Sequence, residues 1–116
     1  MEVQKPKSEV KIHAEIYTYF HNHYPHLRGC LCYNLNNSAN MVQGNLNKQL
    51  GLQKGRSDLA LYYMGKAYFL ELKDDTGRQK PEQKEWQAKM EAHGFEYVVL
   101  RSLDEFKNFL IKSLIK

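Results

Sequence analysis

Two apolar runs, residues 57–63 and 67–73, stand on either side of Gly65-Lys66. A glycine-containing pair between two strand-like runs signals a tight hairpin, and strands joined in that way are antiparallel. This pairing constrains the rest of the chain, because the start of the first run must neighbour the end of the second. The first run opens at Asp58 and the second ends in Glu71-Leu72-Lys73. Glu71 and Lys73 are two residues apart and so share one face of their strand. Two carboxylates and an ammonium then converge at one end of a sheet. That is the minimum for holding a hard divalent cation beside a proton-handling group. Taken alone, Glu-Leu-Lys is more often an ordinary ion pair at a strand end, by about three to one.

The flanking segments place this hairpin in an α/β fold. Residues 8–23 read as an amphipathic helix with Ile12, Ile16, Tyr19 and Phe20 on one stripe and Ser8 as N-cap. Pro25 marks its exit, and residues 29–35 read as a strand. Residues 36–55 are rich in Asn and Gly and read as a loop holding one short helical piece. Pro81 suits the first turn of a helix that runs to about His93, with Gly94 as its stop. Residues 95–101 form a strand and 103–115 a last helix, with Leu103, Phe106, Leu110 and Leu114 on one stripe. The expected order is α-β-β-β-α-β-α. A meander followed by a helical crossover implies a mixed central sheet flanked by helices, within one domain spanning 1–116.

Charge narrows the partners. Seventeen basic and thirteen acidic residues give a net +4, yet no acidic residue lies between Glu15 and Asp58. Residues 16–57 hold Arg28, Lys48, Lys54 and Arg56, three histidines and seven asparagines, so the excess charge is confined to that segment. Cations and amides together suit a phosphate backbone. No apolar run approaches the roughly 20 residues needed to cross a bilayer, and Met1 to Lys5 lack the apolar core of a signal peptide. The two cysteines make no disulfide framework. A cytoplasmic protein with no membrane partner is expected.

Two helices contribute further candidates. Gln83, Trp86 and Met90 fall on one helical face, so Gln83 shares that face near the end of the preceding strand. Glu9 falls near the centre of the Ile12/Ile16/Phe20 stripe and faces inward, as a further metal or water ligand or as a partner of the helix dipole. Asp74 and Asp75 read as a solvated turn.

Taken together, the runs Gly51-Leu52-Gln53-Lys54-Gly55-Arg56-Ser57-Asp58-Leu59 and Phe69-Leu70-Glu71-Leu72-Lys73, then Gly77, Pro81-Glu82-Gln83-Lys84-Glu85-Trp86 and Gly94, resemble the VRR-NUC family. These are the virus-type replication-repair nucleases of the PD-(D/E)XK superfamily. The resemblance spans about residues 8–111, with separated motifs in matching order and spacing. It implies a restriction-endonuclease-like core. It further implies Asp58, Glu71 and the backbone carbonyl of Leu72 as ligands of Mg²⁺ or Mn²⁺, with Lys73 orienting or activating the attacking water. Gln83 would position that water or Lys73, Glu9 would match the family's acidic residue on the first helix, and Asn34 an asparagine on its first strand. Two positions depart from the pattern. Ser57 stands where a proline commonly precedes the aspartate, and Lys80 where a Ser or Thr cap is common.

The activity so implied is metal-dependent endonucleolytic hydrolysis of branched DNA, Holliday junctions included, by a homodimer of the phage or bacterial kind that serves DNA repair. Size points to a dimer as well, since a single site cuts one strand and the chain is short; the first helix and residues 16–57 are candidate interfaces. Lys48, Lys54, Arg56, Arg78, Lys80 and Asn34 would follow the DNA backbone. An ammonium among carboxylates serves Lys73 better as an electrostatic stabiliser than as a free-amine base. The alternative is a non-catalytic nucleic-acid-binding protein that keeps the nuclease fold.

Overall fold

The hairpin forms, displaced by one residue. In the computed structural model, which describes residues 7–34 and 41–114, β2 (Leu59–Tyr63) and β3 (Lys66–Leu72) pair antiparallel with Tyr63 opposite Lys66. The turn is therefore Met64-Gly65 rather than Gly65-Lys66. Both residues have positive φ, 51° and 77°. Such a two-residue turn matches the twist of its strands, and glycine takes one of its left-handed positions without strain.

A mixed four-stranded sheet is built outward from this hairpin in the order β1-β2-β3-β4. β1 (Leu31–Tyr33) pairs antiparallel with β2, and β4 (Glu96–Leu100) pairs parallel with β3. The parallel pair is connected by α3 (Pro81–Ala92), which crosses over one face of the sheet. The other face is covered by α1 (Lys7–His23) and α4 (Leu103–Ser113).

Alternation along the strands sorts the side chains between these faces. Leu59, Leu61, Tyr68, Leu70, Leu72 and Leu100 point toward α1 and α4, where they meet Ile16, Phe20, Phe106 and Leu110. These are the stripes expected for the first and last helices. Ala60, Phe69 and Tyr97 point toward α3, where Trp86 and Met90 pack against them. No residue of α3 is fully buried, so this second layer is thinner than the first.

Three further expectations are corrected. The short helical piece is a nine-residue helix, α2 (Met41–Gln49), so the order is α-β-α-β-β-α-β-α, with a brief 3₁₀ turn at Pro25–Leu27. A Gln43 Nε2 to Asn47 Oδ1 bond of 2.7 Å, one turn apart, supports it despite its weak helix formers. Ser8 lies inside α1 rather than capping it, and its hydroxyl donates to Asp74 Oδ2 at 2.7 Å. The strand expected over 29–35 contains only Leu31–Tyr33, and its last residue, like residues 36–40, lies outside the described residues.

Candidate metal-dependent nuclease site

The β2–β3 register puts Leu59 opposite Leu70. One step further, Asp58 stands opposite Glu71, on the face shared with Ala60 and Phe69. A hydrogen bond tightens this juncture: Leu72 N donates to Asp58 Oδ2 at 2.8 Å. The segment entering β2 is braced from β1. Asn34 N donates to Asp58 O at 2.8 Å, and the Asn34 side-chain amide donates to Ser57 O at 3.1 Å. Asn34 was grouped above with the DNA-facing residues. It is buried, with its amide turned into the protein, and its observed contacts support Asp58.

The charged groups are inside the protein. Asp58, Glu71, Lys73 and Glu9 have only 5%, 1%, 6% and 6% of their surface exposed. Burial on this scale is costly for ions unless they are paired, hydrogen-bonded or ligated. Lys73 Nζ lies 3.8 Å from Glu71 Oε2, a long ion pair. Glu71 Oε1 accepts the Tyr97 hydroxyl and, at 3.1 Å, Gln79 Nε2. Glu71 Oε2 is the one buried side-chain nitrogen or oxygen among the described residues that has no hydrogen-bond partner. Burial first, and then the bond to Glu71, push the Tyr97 hydroxyl well above its ordinary value. Tyr97 therefore keeps its proton and acts as the donor.

Glu9, on α1, is buried facing the turn that follows β3. A methyl group on Gly77 would come within 3.4 Å of both Glu9 Oε2 and the Lys73 side chain, so the two flank one point. The turn they border is held firmly. Arg101 donates to Asp74 O and Gly77 O, both at 2.7 Å, while the Asp74 carboxylate accepts from Gly77 N at 2.6 Å. The bond from Ser8 is foremost in holding the Asp74 carboxyl below its ordinary value, with the Gly77 and Thr76 amides adding to it. Asp74, read above as a solvated turn residue, thus ties α1 to the end of β3.

Gln83 is placed differently from Asp58, Glu71, Lys73 and Glu9. Its side-chain carbonyl accepts from Lys80 N at 2.7 Å and caps the start of α3. The amide that touches Glu71 belongs to Gln79, which the sequence reading passed over, as it did Tyr97. One of the basic segments meets the first turn of α3. Gly55 packs so closely on the first turn of α3 that a Cβ there would sit 2.3 Å from Glu82 O. This brings the Lys54-Gly55-Arg56 segment against the first turn of α3, where Lys54 shares a shallow pocket with Glu82, Glu85, Trp86 and Lys89. Lys54, Arg78 and Lys80 are exposed, as is Lys48 in the last turn of α2.

Asp58 and Glu71 present carboxylate oxygens, the donors that hard divalent cations prefer. The Glu71 oxygen that lacks a hydrogen bond fits such an ion, with the Leu72 carbonyl within the same juncture. Among the described residues, no three His, Cys, Asp or Glu side chains are gathered closely enough to hold a metal by themselves. Backbone and water oxygens would have to complete the shell.

A four-stranded mixed sheet whose parallel pair is joined by a helical crossover, with helices on both faces, defines a mixed α/β fold. The particular fold is the VRR-NUC fold. A solved VRR_NUC domain protein superposes over 97% of this chain and 92% of its own, with a TM-score of 0.76 at 16% sequence identity. No family model matches the chain, and no curated protein matches it. No helix among the described residues is long and apolar enough to cross a membrane.

Proposed function

We propose that the protein is a metal-dependent, structure-selective DNA endonuclease that hydrolyses phosphodiester bonds in branched DNA and works as a homodimer. The observation that carries this reading is the buried Oε2 of Glu71, which lacks a hydrogen-bond partner and meets only the Lys73 ammonium at 3.8 Å, set beside Asp58. Asp58, Glu71 and the carbonyl of Leu72 would hold Mg²⁺ or Mn²⁺, with Glu9 as a further candidate for water placement. When bound, such an ion supplies Lewis acidity toward the scissile phosphate and lowers the pKa of a coordinated water.

The chain's own residues do the rest. Lys73 places its ammonium where charge develops on the phosphate oxygens, and burial makes that charge more effective than it would be in water. The exposed Lys54, Arg78 and Lys80, with Arg56 and Lys48, would follow the backbone by charge and shape. Two sites related by a two-fold axis would address two strands of one junction.

The test is cleavage of a four-way DNA junction with Mg²⁺ or Mn²⁺, comparing the wild type with Asp58→Asn and Glu71→Gln. Cleavage by the wild type alone supports the proposal. Salt-dependent DNA binding with no cleavage in either metal would replace it with a non-catalytic DNA-binding role. Sedimentation of the protein with and without junction DNA tests the dimer.

A further inference from the structure

Glu71 is held through one oxygen. Oε1 receives both Tyr97 and Gln79, whereas Oε2 is left open toward Lys73. Both donors are themselves fixed. The Tyr97 ring packs edge-on against Trp86 at 6.0 Å, within the cluster that includes Ala60 and Phe69. Gln79 Nε2 also donates to Gln87 Oε1 at 2.8 Å, and Gln87 Nε2 donates to Glu91 Oε2 at 3.3 Å. A relay of amides thus runs from α3 to the carboxylate.

A glutamate's terminal torsion is broad and nearly two-fold. Tethering one oxygen decides where the other points. Had the two donors simply answered the needs of a buried carboxylate, one on each oxygen would do so better than two on the same one. The observed arrangement leaves the second oxygen with no hydrogen bond and only the long ion pair to Lys73.

We infer that Tyr97 and Gln79 are positioning residues, which hold Glu71 by Oε1 so that Oε2 is presented to the divalent ion. The inference rests on the metal-dependent reading above. Groups that orient a metal ligand from behind commonly change affinity or activity about 10–100-fold when removed. A purely structural role would lower stability and leave affinity alone.

The experiment is a Mn²⁺ titration of the whole chain, read by loss of the free-ion electron paramagnetic resonance signal. Wild type, Tyr97→Phe and Gln79→Ala are compared, together with the thermal midpoint of each metal-free protein. Tyr97→Phe keeps the ring and removes the hydroxyl. The expected result is Mn²⁺ binding weakened about tenfold or more in both variants, with midpoints close to wild type. Binding within twofold of wild type in both variants overturns the inference while leaving the metal reading intact. A wild type that binds no Mn²⁺ overturns the metal reading, and the inference with it. If Tyr97→Phe does not fold, the half-buried Gln79→Ala decides the matter alone.

Discussion

Asp58 Oδ2 and Leu72 N are joined by a 2.8 Å hydrogen bond, so one carboxylate both locks the hairpin's open end and stands beside Glu71. The two duties separate on mutation. Asp58→Ala leaves the Leu72 amide without this acceptor and is expected to cost about 1–3 kcal/mol. Asp58→Asn keeps an acceptor oxygen and should stay within about 1 kcal/mol of wild type. Urea denaturation distinguishes them, and both should lose metal-dependent cleavage.

Lys73 is nearly buried with its ammonium 3.8 Å from Glu71 Oε2. If its task is to stabilise charge, the positive charge matters more than a removable proton. Lys73→Met is expected to lower the single-turnover cleavage rate about 100-fold or more. Lys73→Arg should retain more of the rate than Lys73→Met. Equal loss in the two variants would oppose an electrostatic role.

Gly55 combines a φ of +80° with backbone contact to α3. Gly55→Ala therefore meets two penalties, the left-handed backbone and the clash with Glu82 O. A loss of about 2–4 kcal/mol is expected from these together, measured by urea unfolding. Because Lys54 and Arg56 flank this position, DNA affinity should fall as well, as measured by fluorescence anisotropy.

Asp74 supplies a pH signature. Its carboxyl is held below the ordinary value of 3.8, chiefly by the Ser8 hydroxyl. A depressed folded-state pKa means that the charged form favours folding. The contribution is complete above the ordinary value and is lost as pH falls through the lowered one. Wild type and Asp74→Asn should therefore differ in stability at neutral pH and converge as the solution is acidified below that point. Denaturation midpoints followed from pH 7 down through the acid limb check this.

Much of the site was legible because its key spacing is local. Asp58, Glu71 and Lys73 follow from a hairpin with alternating faces, and a slip of one residue in the turn left their grouping intact. Glu9 was legible from helical periodicity, since it shares the stripe of Ile16 and Phe20. Gln83 shows the limit of that argument. Its face was read from spacing, but a first-turn amide can close back on its own helix, and Gln83 does so with Lys80 N. Asn34 shows another limit, because an asparagine in a basic, acid-free segment looks solvent-facing until the β1–β2 pairing buries it against Ser57.

The order of residues alone determined that Asp58, Glu71 and Lys73 gather at one end of a hairpin, whereas the register that sets Asp58 rather than a neighbour opposite Glu71 came from the turn settling on Met64-Gly65. Tertiary structure decided how that pair is held. Tyr97 reaches Glu71 only through the parallel pairing of β3 with β4, and Gln79 only through the loop that leads into α3. Parallel strands joined by a helical crossover carry no local signal of register, so the partners of Glu71 become visible only when the whole sheet has closed.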